Sequence, residues 1–315
     1  MTPQISLIIV YRNAEATLSR VFESIVRQRG EFTAEFIFVD DASTDGSARL
    51  VTEFASAHHK LDIKLLSMPE HSGPSRSSQA AIDAATGEYV MRLDADDMLE
   101  RDALSTMLKA TDGGAADIVA TPFAMVRGTK TEHLRAADIR TELNEMPVDV
   151  SHFSMCNKFV RRSLLLGQDM RLFPGIERWE DLGLIARVMA RKPRVAVVER
   201  PLYYYILDPD RLSLSRSGKE LLLRDHIAMA RQLEQWFEAQ GLAEEYADFL
   251  RRLKFHAKIK YLRGRGKDVK AWKTTFPDVN HGIMRQRTIP LHYRLLFLLA
   301  AKLPTPLTQA IARLT

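Results

Sequence analysis

Three acidic clusters have residue types and spacings that can do chemistry: Asp40-Asp41, Asp94-Ala95-Asp96-Asp97 and Glu180-Asp181. The D-x-D spacing lets Asp94 and Asp96 reach one hard divalent cation. Mg²⁺ or Mn²⁺ prefers oxygen ligands and keeps water or substrate phosphates in its remaining positions, so few protein carboxylates suffice. One aspartate of Asp40-Asp41 can accept a hydrogen bond from a base N–H, as an imide such as uracil offers. Glu180-Asp181, preceded by Trp179, opens a helix, and a carboxylate there can act as general base toward an acceptor hydroxyl. Each cluster also has a plainer reading. Asp94 to Asp97 can be a solvated turn, Asp41 or Ser43 a helix cap, and Glu180-Asp181 a first helical turn whose charge suits the helix dipole.

The elements that must position these groups alternate. Ile5 to Val10 is a short β-branched run of the kind that fills a strand buried on both faces. Apolar residues at Leu18, Val21, Phe22, Ile25 and Val26 follow at helical spacing. Glu35 to Asp40 reads as a second strand, and Ser43 to Ser47 opens a helix. A strand at Ile63 to Leu66, a helix at Ser75 to Ala85 and a strand at Tyr89 to Leu93 continue the pattern, with further helix and strand signals at Ala103 to Thr111 and Asp117 to Thr121. Alternation of this kind predicts βαβ units and a mostly parallel sheet flanked by helices, an α/β fold of Rossmann-like type. Ligands bind beyond the carboxyl ends of such strands, so Tyr11-Arg12-Asn13, Asp40-Asp41 and Asp94 to Asp97 are expected to meet in one crevice. Farther on, the pattern predicts helices at Lys158 to Leu166 and Asp181 to Met189, and strands at Val195 to Val198 and Leu202 to Leu207. Long helices are expected from Gly218 to Arg263, and a short apolar one within Leu291 to Leu303.

Composition narrows the class. With 315 residues, 46% hydrophobic and 27% charged, the chain is an ordinary globular one, and its single cysteine, Cys156, excludes a disulfide framework or a cysteine-rich metal site. The first residues lack the basic start and long apolar run of a signal peptide, which predicts a cytoplasmic protein. Charge is uneven: from Arg251 onward there are fifteen lysines and arginines against Asp268 and Asp278 alone. A basic end on an acidic body points to an anionic partner. Phe255, Tyr261 and Trp272 interleave with these cations as a nucleic-acid stacking surface would. However, the apolar run Leu295 to Ala301 follows, and basic residues leading into a short apolar helix fit an anionic membrane surface better. No nucleic acid is expected. The run is too short to cross a bilayer, which takes about 20 residues.

Taken in order, the segments Leu7 to Leu18, Val39 to Ser47, Ala85 to Asp97, Cys156 to Leu165, Trp179 to Asp181 and Pro201 to Tyr205 resemble family 2 glycosyltransferases of the GT-A fold. The resemblance covers about residues 1–215, with 1–120 as the nucleotide-binding half and 121–215 as the acceptor half, and leaves 216–315 as a helical, basic C-terminal region. It implies inverting transfer of a sugar from a nucleoside diphosphate sugar, commonly a UDP-sugar, to an acceptor hydroxyl on a saccharide or lipid-linked molecule, with Mn²⁺ or Mg²⁺. By the same resemblance Asp41 would bind the base, supported by Asp40. Asp94 would face ribose or metal, Asp96 would ligate the metal, and Asp181 would be the general base beside Glu180. Val10, Tyr11, Arg12, Asn13, Glu15 and Ala95 would line the nucleotide. Asn157, Lys158, Trp179, Arg211 and Ser213 would serve the acceptor or a phosphate-covering loop. The family usually has proline near Val10 and an aromatic at Arg12, so base stacking falls here to Arg12 or Tyr11. It also has Arg-Asn where this chain has Ser78-Gln79, which leaves Arg76 to reach the diphosphate.

Two other classes compete. A non-catalytic scaffold on the same fold has no reason to keep Asp94, Asp96 and Asp181. A nucleotidyltransferase calls for a glycine-rich phosphate loop after the first strand, and Tyr11-Arg12-Asn13-Ala14-Glu15 has none.

Overall fold

The computed structural model describes residues 2–208, 219–262, 268–281, 283 and 291–308. The chain divides into two units, Met1–Glu142 with Asp149–Arg211, and Leu143–Val148 with Leu212–Thr315. The first contains strands β1 (Ile5–Tyr11), β2 (Ala34–Asp40), β3 (Asp62–Ser67), β4 (Tyr89–Arg92), β5 (Met98–Leu99), β6 (Ile118–Ala120), β7 (Phe123–Arg127), β8 (Lys130–His133), β9 (Lys158–Arg161), β10 (Val195–Val197) and β11 (Tyr203–Ile206). Its helices are α1 (Leu18–Val26), α2 (Ser47–Ala57), α3 (Gly73–Ala84), α4 (Ala103–Ala110), α5 (Val150–Phe153) and α6 (Glu180–Met189).

Seven strands form one sheet in the order β10-β6-β9-β4-β1-β2-β3, parallel throughout except where β9 runs against β4 and β6. Ile5, Leu7, Ile8 and Ile9 of β1 are all fully buried. Side chains alternate along a strand, so both faces of the sheet are covered there. The chain moves outward from β1 through β2 to β3 and then returns to place β4 on the other side of β1. Such a reversal of strand order leaves a crevice at the carboxyl ends. The register makes it compact: Tyr11 pairs with Asp40, and the Leu93 N–H donates to the Ile8 carbonyl at 2.9 Å. A second sheet, β5-β11-β7-β8, begins directly after Asp97 and lays β11 beside it.

Residues 158–166, expected as a helix, are instead β9 followed by a 3-10 turn at Arg162–Leu165. Val160 pairs with Val90 on one side and Ile118 on the other. Periodicity cannot separate a short buried strand from a helix, and here the sheet had an open slot between β4 and β6 to fill.

The second unit is helical, with α7 (Lys219–Ala239), α8 (Ala247–Lys258), α9 (Val269–Thr274) and α10 (Leu291–Lys302). Its core joins Met229, Leu233 and Phe237 of α7 with Phe249, Leu253 and Phe255 of α8, Trp272 and Phe297. Leu143–Val148 is built into it: Asn144 donates to the Glu245 carbonyl at 2.8 Å and accepts the Phe249 N–H at 3.2 Å. Lys258 is fully buried, donating to the carbonyls of Trp272, Thr275 and Phe276. No helix among the described residues is long and apolar enough to cross a membrane.

Candidate active site

The loops after β1 and β2 are stitched together. The Asn13 N–H donates to Ser43 Oγ at 3.1 Å, while Asn13 Oδ1 accepts the Thr44 N–H at 2.8 Å. The Ala14 N–H donates to Ser47 Oγ, and Glu15 accepts the Gly46 N–H. Asn13 and Ala42 both hold left-handed backbone, with φ of 49° and 54°. Non-glycine residues accept that strain where the surroundings over-determine it, often beside functional sites. Asn13 and Glu15 therefore shape the wall of the crevice through their own loop bonds. Arg12 beside them is exposed and Val10 half-buried. Tyr11 is no stacking platform: it is 5% exposed and packs edge-on against Phe38. Burial and then Asp40 push its hydroxyl pKa up.

The Asp40-Asp41 pair divides its work differently from expectation. Asp41 is buried and its carboxylate receives the N–H groups of Ser72 and Gly73 at 2.8 and 3.1 Å, with His71 Nδ1 at 2.8 Å. It thus satisfies the orphan donors that open α3. Burial works against its ionised form, but the Ser72 and His71 hydrogen bonds outweigh that and hold its pKa below the usual range. The Asp40 carboxylate accepts the Ser43 N–H on Oδ1 at 3.0 Å, against three contacts on Asp41, so the lighter-loaded carboxylate of the pair is Asp40. Arg76 is exposed on the first turn of α3.

Arg92, the last residue of β4, joins the remaining clusters. Its Nε pairs with the Asp94 carboxylate at 2.9 Å and donates to Cys156 Sγ at 3.4 Å, while Nη1 donates to Glu180 Oε1 at 2.9 Å and Nη2 to Asp181 Oδ2 at 3.4 Å. Asp97 turns inward instead. It accepts Tyr203 Oη at 2.7 Å and the Ile206 N–H at 2.8 Å, while Tyr203 Oη accepts the Asp94 N–H at 3.1 Å. Burial, then the charge of Asp94, pushes Asp97 well above the usual carboxylate range. The β11 tyrosine therefore fixes the turn that carries Asp94, Ala95 and Asp96. Sequence reasoning missed both Arg92 and Tyr203. For Arg92 the signal was present, a charged residue closing the apolar strand Tyr89-Val90-Met91.

Glu180 and Asp181 occupy the first turn of α6, where the helix dipole favours negative charge. Trp179 before them is left-handed, with φ of 69°, and sets the direction in which they leave the chain. Most of α6 is buried on every side, so its first turn is held rigidly. Burial, and then the neighbouring Asp181, pushes the Glu180 pKa up to about 7 against the pull of Arg92. Asp181 accepts the Leu182 N–H at 3.0 Å and the Met155 N–H at 3.4 Å.

Asn157 and Lys158 do not face a ligand. Asn157 is fully buried and donates to the carbonyls of Thr121 and Ser151; Lys158 Nζ donates to Ser151 O, Ser154 O and Asn157 Oδ1 at 2.7–3.1 Å. Burial lowers the Lys158 pKa to about 8, with Asp181 opposing. Three acceptors use its three donors, so the expected phosphate or acceptor role of this pair is replaced by tying the end of α5 to β9. Arg211 and Ser213 lie outside the described residues.

Among the described residues no group of three or more His, Cys, Asp or Glu is placed to hold a metal ion alone. Asp94 and Asp96 nonetheless supply two hard oxygen donors, with Asp97 withdrawn onto Tyr203. That set fits a hard divalent cation that takes its other ligands from a diphosphate.

A family model described as Glycosyl transferase family 2 matches residues 6–166, more than half of the chain. The Teichoic acid poly(glycerol phosphate) polymerase of Staphylococcus epidermidis is 26% identical over 237 residues, covering 71% of this chain and 32% of its own length. The chain therefore spans less than two thirds of that relative. The crystal structure of S. aureus TarS 1-349 in complex with UDP-GlcNAc superposes with a TM-score of 0.64 at 18% identity, covering 94% of this chain and 87% of that one. The mannosyltransferase PcManGT from Pyrobaculum calidifontis, in complex with GDP-Man and Mn²⁺, gives 0.52 at 20% identity, covering 100% and 88%.

Proposed function

Because this chain belongs to glycosyltransferase family 2, we propose that it moves a sugar from a UDP-sugar to an acceptor hydroxyl, with inversion, in building a cell-surface polysaccharide or glycolipid. The observation that carries this is the meeting of Asp94 with Glu180 and Asp181 on one guanidinium. It sets a diphosphate-facing carboxylate beside a base. Asp181 takes the acceptor proton as that oxygen bonds to the anomeric carbon; the bond from that carbon to the diphosphate breaks, and the diphosphate leaves with the electron pair. Asp181 is assigned this role over Glu180 because its side chain is the more exposed, 17% against 10%. Asp40 accepts the base N–H, with Asp41 as its support, an exchange of the roles first assigned to the pair. Arg12 stacks on the base, Val10 and Ala95 line the nucleotide, and Arg76 meets the diphosphate. Asp94 and Asp96 would hold Mn²⁺ or Mg²⁺, which stabilises charge on a departing diphosphate. Trp179 orients the base pair from behind.

The two structural neighbours carry UDP-GlcNAc and GDP-Man, so the donor base is tested directly. Calorimetric titration is expected to show UDP binding in Mn²⁺ that is tighter than in EDTA and tighter than GDP or CDP. Asp96→Ala should lower the Mn²⁺ affinity about tenfold, or about 1.4 kcal/mol, and leave the EDTA value unchanged. Binding of none of the three would bring the scaffold reading forward, and equal effects of Asp96→Ala in both buffers would remove the metal role.

For the second unit we propose association with an anionic membrane surface, at the cytoplasmic face. One side of α10 packs inward through Phe297 and Ala300, while Leu291, Leu295 and Leu299 on successive turns are 54%, 46% and 38% exposed. The two acidic residues of the basic segment are used internally, Asp268 capping α9 and Asp278 pairing with Lys254. A solvated helix face accounts for the cations but not for the leucine ridge. Vesicles containing phosphatidylglycerol should sediment the protein, and those of phosphatidylcholine alone should not. Leu295→Asp with Leu299→Asp should abolish sedimentation. Undiminished binding by that variant would remove α10 from the contact.

A further inference from the structure

Arg92 occupies a position that ordinary strand packing does not explain. Tyr89, Val90 and Met91 before it are buried apolar residues of β4, and its own side chain is only 11% exposed. A guanidinium placed there loses most of its hydration, and that cost is offset only where its donors are well matched. Here two arms of the guanidinium donate to carboxylates and a third carboxylate pairs with its charge. The Nη1 arm donates to Glu180 and the Nη2 arm to Asp181, while Nε donates to Cys156 Sγ at 3.4 Å and forms an ion pair with Asp94 Oδ1 at 2.9 Å. The partners come from different parts of the fold. Asp94 belongs to the turn braced by Tyr203, whereas Glu180 and Asp181 belong to a helix start whose Glu180 is 88 residues beyond Arg92. This guanidinium links the two clusters.

We propose that Arg92 is a positioning residue that sets the base pair Glu180-Asp181 at a fixed span from the donor-facing Asp94. This rests on the glycosyltransferase reading above. The planar fork holds Glu180 and Asp181 through donors that point in fixed directions while its charge pairs with Asp94, which a lysine ammonium on a flexible stem cannot reproduce. A misplacement of about 1 Å between reacting groups can cost about 100-fold in rate. The alternative is a charge plug, in which Arg92 only neutralises buried carboxylates, and any cation of similar reach would serve.

Arg92→Lys separates the two, because it keeps the charge and removes the fork. With the 315-residue chain, positioning predicts a kcat lower by about 100-fold, a donor KM within about threefold, and a UDP affinity and melting temperature close to wild type. The loss should also persist across the pH range, since a displaced base is not restored by ionising it. A folded Arg92→Lys with wild-type kcat overturns the proposal and leaves the plug. Should that variant not fold, Glu180→Gln and Glu180→Ala test the clamp from its other end. Gln keeps an acceptor for Nη1, so it should retain about tenfold more kcat than Ala, and equal losses overturn the proposal. Wild-type protein that turns over no nucleotide sugar overturns the underlying reading together with this role, whereas turnover by wild type with full turnover by Arg92→Lys overturns the role alone.

Discussion

Replacing Asp181 with asparagine is expected to lower kcat about 1,000-fold, within the range a positioned general base supplies, while leaving UDP affinity nearly unchanged. Asparagine matches the shape but cannot accept a proton. The fold should survive the change. The Leu182 N–H can still donate to the amide oxygen, whereas the amide NH₂ would then meet the donors of Met155 and Arg92. That mismatch costs about 1–3 kcal/mol. Single-turnover kinetics with saturating donor, run beside calorimetry with UDP, checks both halves. A loss of transfer accompanied by an equal loss of UDP binding would mark Asp181 as a structural member of the α6 start. A variant with full turnover would move the base to Glu180, whose raised pKa already places a proton acceptor near neutrality.

How much of this was legible in the residues depends on whether a feature is local. The strand ends that carry Tyr11, Asp40 and Asp94 could be found because a buried β-branched run followed by carboxylates is a local pattern, and parallel topology then forces adjacent carboxyl ends together. Strand β9 was misread because Lys158 to Arg161 is four residues long, and its identity comes from pairing with Val90 and Ile118 rather than from its own periodicity. Asn157 and Lys158 looked like polar site residues next to an apolar run. Only the path of α5 shows that their donors are used up by the carbonyls of Thr121, Ser151 and Ser154. The same holds for Asp40 and Asp41: the start of α3 claims Asp41, and nothing in the pair's own sequence says which of them the helix will reach. The insertion of Leu143–Val148 into the helical unit is likewise a tertiary fact.

Glu35→Gln should destabilise the first unit by about 3 kcal/mol, the scale expected when one partner of a buried ion pair is removed, without altering UDP affinity once folded. Glu35 lies near the amino end of β2, at the edge of the sheet opposite the crevice. Its buried carboxylate accepts Ser6 Oγ of β1, the N–H groups of Thr86 and Gly87 before β4, and pairs with Lys64 of β3. One group thus holds four neighbouring segments in register. The approach is close enough that a Cβ on Gly87 would fall 2.6 Å from the Ser6 nitrogen, so glycine is required there. Burial alone would raise the Glu35 pKa, but Lys64, Ser6 and Thr86 together bring it down from 4.5 to about 2. A carboxylate with a folded pKa below its unfolded one contributes stability that is present above about pH 4.5 and lost as pH falls toward 2. The gap between wild type and Glu35→Gln should therefore be widest near neutral pH, about 10 °C in melting temperature, and should close progressively between pH 4.5 and 2. Thermal melts across that range decide it. A gap that stays constant with pH would mean that Gln fails by shape or packing, and that the ionised hub does not hold the sheet edge.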